Sequence, residues 1–185
     1  IGFTPKIDNY NRVKSQRGNV GDALILGVES ITELNLEELI FNDSSQFDMS
    51  LFFNIASIHS EYIRSERPGI QGKKVEFIPT HNIKIGGKFG YKNIFLSVQL
   101  TKIGEQFTDA TNANEGTLSG VIGKIPNYQV MDLIANFHFG SFKIETGINN
   151  LGNEIYFTRR ATGYPGPGII PSPPRNYFLT VQYRL

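Results

Sequence analysis

The sequence of residues 176–185 is Asn-Tyr-Phe-Leu-Thr-Val-Gln-Tyr-Arg-Leu. Side chains alternate along a β-strand, so that one face would carry Tyr177, Leu179, Val181, Tyr183 and Leu185. The other face would carry Phe178, Thr180, Gln182 and Arg184. A strand with one wholly apolar face packs that face on a protein core in water or turns it toward lipid in a membrane barrel. The choice between these two environments decides the function.

The same alternation predicts further strands of about ten residues or more. Their apolar faces are, in chain order, Leu24, Leu26, Val28, Leu34 and Leu36; Phe47, Met49, Leu51, Phe53 and Ile55; Ile83, Ile85, Phe89 and Tyr91; Ile94, Leu96, Val98 and Leu100; Met131, Leu133, Ala135, Phe137 and Phe139; and Phe142, Ile144 and Ile148. Charged residues on the second face, such as Lys143 and Glu145, indicate a polar wall. We count about eight strands, beginning with a partial one near Ile1. The prediction is an all-β antiparallel meander.

The connections between these strands alternate in length. Short connections are predicted at residues 91–93, at residues 140–141 and near residues 42–45, whereas long polar loops are predicted at residues 7–21, 66–79, 104–126 and 158–175. Outer-membrane barrels have short turns on one side and long loops on the other. The pattern therefore favours part of a transmembrane β-barrel, with a soluble antiparallel barrel or sandwich as the alternative.

The composition excludes several classes of protein. A length of 185 residues suits one domain, and no run of about 18 apolar residues is present to form a membrane-spanning helix. The absence of cysteine excludes a disulfide scaffold and a thiolate metal site within these residues. The formal net charge is +1 and the basic residues are scattered, so we expect no nucleic-acid partner.

We find no pattern of residues that indicates catalysis. His59, His81 and His138 fall on different strands without the spacing of metal ligands. Ser119 lies in a predicted long loop without the glycine spacing of a nucleophile elbow. In the loop at residues 163–168 the prolines remove the amides that would hold a phosphate. We therefore expect no catalytic residue, no metal, no cofactor and no enzymatic activity.

Several short segments occur together in the order found in one family. Near the end of the chain, residues 147–151 read Gly-Ile-Asn-Asn-Leu, residues 156–161 read Tyr-Phe-Thr-Arg-Arg-Ala, and residues 164–168 read Tyr-Pro-Gly-Pro-Gly. Earlier, residues 77–81 read Phe-Ile-Pro-Thr-His, residues 103–107 read Ile-Gly-Glu-Gln-Phe, and residues 125–128 read Ile-Pro-Asn-Tyr. In this order they resemble the C-terminal barrel segment of a TonB-dependent outer-membrane receptor of the ferric citrate, or ferric siderophore, type.

The resemblance implies a function for a longer protein. Residues 1–185 would be the C-terminal part of a 22-stranded barrel, without the plug domain and the earlier strands. The whole receptor would carry a ferric chelate inward across the outer membrane of a Gram-negative bacterium. The TonB complex would energise it through an N-terminal region that this sequence does not contain. Outer-membrane lipid and lipopolysaccharide are the other implied partners, and these residues alone are not expected to transport.

Two alternatives stay open. The first is a complete small outer-membrane barrel with a structural or adhesive role, and the second is a soluble ligand-binding β-barrel. In lipid, an open sheet would leave backbone groups unpaired at each edge, at a cost of about 2 kcal/mol or more per group. The segment alone should therefore close on itself, self-associate through its open strand edges, or occur only as a truncated product.

One cluster of basic residues is a candidate ligand site. Arg159, Arg160 and Arg175 flank the last long loop. Guanidinium groups bind carboxylates and phosphates through paired hydrogen bonds. We predict that these three arginines help to draw an anionic chelate toward the mouth of the barrel. The alternative is that they meet lipopolysaccharide phosphates or water.

Overall fold

The computed structural model describes residues 2–7, 13–37, 46–161 and 167–184, with side chains from Gly18 onward. Its strands are β1 (Gly2–Ile7), β2 (Val13–Gly18), β3 (Asp22–Asn35), β4 (Phe47–Arg64), β5 (His81–Tyr91), β6 (Ile94–Ile103), β7 (Gln106–Phe107), β8 (Lys124–Ile125), β9 (Tyr128–Phe139), β10 (Phe142–Asn149), β11 (Phe157–Ala161), β12 (Gly168–Pro171) and β13 (Asn176–Tyr183). Among these residues no helix is both long and apolar enough to cross a membrane.

Seven strands form one antiparallel sheet in the order β13-β10-β9-β6-β5-β4-β3. Each strand pairs with the next strand of the sheet along the chain, so the predicted all-β antiparallel meander is confirmed. The remaining strands form three small two-stranded sheets, β1-β2, β7-β8 and β11-β12. β3 and β13 are the two edges of the large sheet, and the described residues include no pairing between them.

The start of the chain differs from the prediction. Residues 7–21 were expected to form a long loop, but β2 lies within them and pairs with β1. The alternation of apolar and polar residues is weak there, which is why the sequence pattern missed this hairpin. The partial strand expected near Ile1 is β1, which begins at Gly2. Three expected features lie outside the described residues: the connection near residues 42–45, most of the Pro/Gly-rich segment up to residue 166, and Leu185.

The strand register places the predicted apolar side chains on one face. Directly paired residues form a row across all seven strands: Leu34, Leu51, Gly87, Val98, Leu133, Ile148 and Tyr177. We call this side the apolar face. Its apolar residues on β9 run from Met131 to Phe139, about 27 Å along the strand at about 3.4 Å per residue. That length suits the apolar band of an outer-membrane barrel, which is about 25 Å tall.

Aromatic residues of the apolar face gather at the end with the short turns. They are Phe47, Tyr91, Phe137, Phe139, Phe142 and Tyr183. Phe47 and Tyr91 have ring centroids 4.6 Å apart, and Phe142 and Tyr183 have centroids 4.8 Å apart. Rows of aromatic side chains at this position are typical of the membrane interface of a barrel.

The opposite face, which we call the polar face, carries the charged side chains. Its members include Asp48, Lys84, Lys88, Gln99, Asp132, Asn136 and Glu145. Lys88 lies 3.5 Å from Glu33, and Lys143 lies 3.5 Å from Glu145. These ion pairs form the polar wall that the alternation predicted.

Three phenylalanines also lie on the polar face, each directly opposite a glycine. The pairs are Phe52 with Gly86, Phe95 with Gly90, and Phe178 with Gly147. A Cβ atom added to Gly86 would come within 2.4 Å of the Phe52 ring, and one added to Gly147 within 2.5 Å of the Phe178 ring. Each ring therefore lies against the neighbouring backbone, in space that only a glycine leaves open.

The large sheet is not covered by a second layer of the described structure. On the apolar face Val28 is 76% exposed and Leu179 is 69% exposed. The buried apolar side chains instead lie at the end of the sheet that carries the long loops: Val20, Tyr62, Ile70, Ile103, Phe107, Ile125 and Val130. A water-soluble sheet would bury its apolar face, whereas a barrel wall turns that face toward lipid.

Candidate ligand-binding site at the long-loop end

All three long connections of the large sheet lie at the same end. They are residues 65–80 between β4 and β5, 104–127 between β6 and β9, and 150–175 between β10 and β13. The tight turns at residues 92–93 and 140–141 lie at the opposite end. We call the described parts of the three connections, residues 65–80, 104–127, 150–161 and 167–175, the long-loop layer. The lengths of these five connections match the prediction from sequence, whereas the connection between β3 and β4 lies mostly outside the described residues.

A small apolar core lies under part of this layer. Val20, Tyr62 and Ile70 are each 4% exposed, and Val75 and Ala110 pack against them. These five residues come from the segment before β3, from the end of β4 and from two of the loops. The loops are therefore held by apolar packing as well as by hydrogen bonds.

Two loops are joined by a reciprocal hydrogen-bonded clasp. The backbone N–H of Lys74 donates to Asn112 Oδ1 at 2.7 Å, and Asn112 Nδ2 donates to the Lys74 carbonyl at 2.8 Å. Asn112 has a φ of 55°, a conformation that asparagine tolerates better than most residues. The backbone N–H of Phe77 also donates to the Phe107 carbonyl at 2.9 Å. Residues 65–80 and 104–127 are thus fixed to each other.

Ion pairs of Glu105 also join residues 65–80 to residues 104–127. Glu105 Oε2 lies 3.1 Å from Lys124 Nζ, and Glu105 Oε1 lies 3.5 Å from Lys74 Nζ. The hydrogen bond from Lys124 lowers the pKa of the Glu105 carboxyl below its ordinary value, with the positive charges of both lysines adding to the effect. Glu105 therefore stabilises the contact between these two loops when its carboxyl group is ionised.

Asn150 organises the start of the last loop. It is 2% exposed and has a φ of 55°. Its backbone N–H donates to Asp132 Oδ1 at 2.9 Å. Its side-chain Oδ1 accepts the backbone N–H of Glu154 at 2.8 Å, and its Nδ2 donates to the Glu154 carbonyl at 2.9 Å. The second asparagine of the Asn-Asn-Leu segment is therefore a structural residue whose side chain pairs both backbone polar groups of Glu154.

The three predicted arginines have different environments. Arg159 and Arg160 are neighbours on β11, so their side chains leave opposite sides of that strand. Arg160 donates from Nη1 to the Gly120 carbonyl at 2.8 Å and from Nη2 to the Lys124 carbonyl at 3.0 Å. Its guanidinium carbon also lies 5.1 Å from the centre of the Phe157 ring. Arg160 thus contacts the neighbouring loop.

Arg159 and Arg175 remain open to solvent. Both are exposed, and their guanidinium groups form no ion pair or hydrogen bond within the part of the chain that the structure describes. The backbone N–H of Arg175 donates to Asn153 Oδ1 at 3.1 Å, which fixes the chain just before β13. These two arginines are available to an anionic ligand, and their role stays a prediction.

A recess of about 290 Å³ opens at the base of the last loop, next to the polar face. Its lining includes Asp132, Asn149, Asn150, Tyr156 and Asn176. Among the described residues that line the recess, one side chain is a carboxylate and none is positively charged. The charge of the recess therefore does not suit an anionic chelate. The described residues also include no group of three His, Cys, Asp or Glu side chains that could hold a metal ion.

Sequence reasoning missed the structural roles of Asn112, Asn150 and Arg160. For Asn150 the sequence does carry a signal, because it lies in the Asn-Asn-Leu segment and asparagine is enriched at positive φ. Asn112 and Arg160 had none, because their partners lie 36 to 40 residues away in the sequence. Only the folded arrangement of the loops shows these contacts.

The chain is similar to known proteins in structure but not in sequence. No family model matches the sequence, and no curated protein matches it. Solved structures do match. The ferric citrate transporter FecA in the unliganded form has a TM-score of 0.76 and 21% identity over 86% of this chain. The ferric yersiniabactin uptake receptor FyuA from Yersinia pestis has a TM-score of 0.68 and 17% identity over 89% of this chain.

A third structure extends the likeness to nearly the whole chain. The copper transporter OprC has a TM-score of 0.66 and 16% identity over 98% of this chain. The chain spans about a quarter of each of these proteins: 24% of FecA, 24% of FyuA and 26% of OprC. The resemblance stated from the sequence is confirmed at the level of fold. The chain has the fold of one segment of the barrel wall of TonB-dependent receptors.

Proposed function

We propose that these residues form part of the barrel wall of an outer-membrane receptor that takes up a ferric chelate. The fold likeness to FecA, over 86% of the chain at a TM-score of 0.76, is the observation that carries the proposal. The exposed apolar face and its aromatic residues support a location in a lipid bilayer. The placement of the long-loop layer at one end supports an orientation with these loops toward the cell exterior.

We propose that these residues belong to a longer receptor. Residues 1–185 would be the C-terminal part of the barrel, joined to earlier strands and to a plug domain in the complete protein. Those strands would pair with the open edges of β3 and β13. Energy would come from the TonB complex through an N-terminal region outside this sequence. The absence of enzymatic activity stays a prediction.

Uptake by the full-length protein tests the proposal. The protein would be produced in a Gram-negative host that lacks its own ferric citrate and siderophore receptors. We expect uptake of radioactive iron from ferric citrate or a ferric siderophore, and we expect the loss of the TonB complex to abolish it. A protein that is assembled in the outer membrane but takes up neither form of iron would contradict the proposal.

Arg159 and Arg175 are the residues that we propose to recruit the anionic chelate. Both are exposed and lack a partner in the described structure, so their charge is available to a ligand. Replacing both with glutamine should weaken chelate binding by about threefold to tenfold, as expected for two solvent-screened ion pairs. Lys73→Gln, which removes one exposed charge from another loop, is a control for a general loss of positive charge. Equal affinity in all three proteins would remove the assignment.

A further inference from the structure

The contacts of Arg160 connect two loops that are far apart in the sequence. The Gly120 and Lys124 carbonyls belong to residues 104–127, whereas Arg160 belongs to the last loop. A Cβ atom at Gly116 would lie only 3.4 Å from Arg160 Nη1, so the guanidinium also sits close to the backbone near the tip of the neighbouring loop. β8 and β11 pack against each other at the same junction.

The chemistry of this contact depends on the planar fork of arginine. One guanidinium reaches two carbonyl oxygens with two separate N–H groups while one side of it faces the Phe157 ring. An ammonium group is a compact point charge and cannot reproduce that fork. Arg160 Nε is buried without a hydrogen-bond partner in the described structure, so the hydrogen bonds of the guanidinium come from its two Nη groups.

The clasp at Asn112 continues the connection to a third loop. Its two hydrogen bonds with Lys74 fix residues 104–127 to residues 65–80. Glu105 adds ion pairs with lysines from both of these loops. The Arg160 contact and the Asn112 clasp together form a continuous chain of contacts across the long-loop layer.

We propose that Arg160 is a positioning residue that latches the last loop onto residues 104–127, so that the three loops behave as one body. The proposal rests on the proposed function only for its setting at the mouth of a receptor. It separates Arg160 from Arg159 and Arg175: one arginine holds the loops in place, and the other two face solvent. While Arg160 keeps these hydrogen bonds, a displacement of the last loop would also displace residues 104–127.

Distances between spin labels in the full-length protein, in detergent micelles or nanodiscs, test the latch. The 185 residues contain no cysteine, so labels attach only at introduced cysteines within them, and cysteines in the rest of the protein would first be replaced. Leu118 and Ile155 are almost fully exposed and lie in the two loops that Arg160 joins. Gln71 is an exposed site in the third loop. Pulsed electron paramagnetic resonance would measure the distance distributions for the pairs 118–155 and 71–118.

Four variants test the contacts separately. With wild-type Arg160 we expect a narrow 118–155 distribution, and Arg160→Gln should broaden it at least twofold. Arg160→Lys should broaden it nearly as much, because one ammonium does not replace the fork. Arg159→Gln, on the same strand with the same loss of charge, should leave it unchanged. The 71–118 distribution should stay narrow in all of these proteins and broaden with Asn112→Ala.

The outcomes that would overturn the latch are equally specific. An unchanged 118–155 distribution in Arg160→Gln, or a wild-type distribution in Arg160→Lys, would show that the arginine fork does not hold the loops. Loss of order at both label pairs in Arg160→Gln would indicate general unfolding and would also count against it. These distances are measured without a chelate, so a failure of iron uptake would contradict the proposed function and leave the latch standing.

Discussion

Asn150 shows how much a single residue can determine in this fold. Its side chain accepts a hydrogen bond from the backbone N–H of Glu154 and donates one to the carbonyl of the same residue. Its own backbone N–H donates to the side chain of Asp132 on β9. A residue in this place must accept a positive φ and carry both a donor and an acceptor. Asparagine meets both conditions, whereas glycine meets only the first and alanine neither.

Asn150→Ala should therefore destabilise the folded barrel by about 2–4 kcal/mol. Loss of the part-buried hydrogen bonds of the side chain accounts for about 1–3 kcal/mol, and the positive φ adds about 1 kcal/mol. Glycine tolerates the positive φ, so Asn150→Gly should be less destabilising than Asn150→Ala by only about 1 kcal/mol. Urea unfolding of the full-length protein in detergent would measure the difference. Equal stability of the alanine variant and the wild type would show that these hydrogen bonds contribute nothing.

A residue's role was predictable from sequence only where its partners are local or its pattern is periodic. The apolar faces of β4, β5, β6 and β9 follow from alternation, and the structure confirms them. Arg160 shows the limit. Its charge suggested an anionic ligand, but the carbonyls it binds are on another loop, and carbonyl oxygens leave no signal in a sequence.

At the scale of strands, the glycines of the polar face are constrained by the rings opposite them. A Cβ at Gly147 would lie 2.5 Å from the Phe178 ring and 2.7 Å from the Leu133 carbonyl oxygen. Neither contact can be relieved without moving a ring or a strand. The pair β10-β13 therefore packs closely only because residue 147 has no side chain.

Gly147→Ala should lower stability by about 1–3 kcal/mol through overpacking. Gly152→Ala is the matched control, because nothing lies within 4 Å of a Cβ atom at that position. We expect that control to change stability by less than about 0.5 kcal/mol. Thermal unfolding, followed by the heat-dependent shift in gel mobility of the full-length protein, would compare the two. A Gly147→Ala protein as stable as the control would contradict the packing argument.

At the scale of loops, Glu105 predicts a dependence on pH. Its pKa is lower in the folded protein than in the unfolded chain, so its contribution to stability is present above the unfolded value. That contribution is lost as the pH falls through the folded value. The stability difference between wild type and Glu105→Gln should therefore be constant near neutral pH and shrink below about pH 4.3. Urea titrations of both proteins between pH 3 and 7 would test this, and a difference independent of pH would contradict it.

For the whole molecule, the decisive property is the contrast between the two faces of the sheet. The alternation of residue types predicted this contrast correctly, because successive side chains of a strand point to opposite faces of the sheet. The number of strands was less predictable, since the hairpin β1-β2 has no clear alternation. Of the eight or so expected strands, seven form the large sheet, and the one near Ile1 is β1, which pairs with β2 instead.

Neighbouring residues of β6 test the orientation of the sheet in the membrane. Val98 lies on the apolar face in the row that crosses all seven strands, and Ser97 lies on the polar face. An arginine near the middle of a bilayer costs about 2–4 kcal/mol on the lipid side of a barrel, whereas the interior tolerates it. Val98→Arg should therefore impair assembly of the full-length protein in the outer membrane, and Ser97→Arg should assemble almost normally. The amount of heat-modifiable protein in outer-membrane fractions would measure both, and the reverse order would mean that the apolar face does not meet lipid.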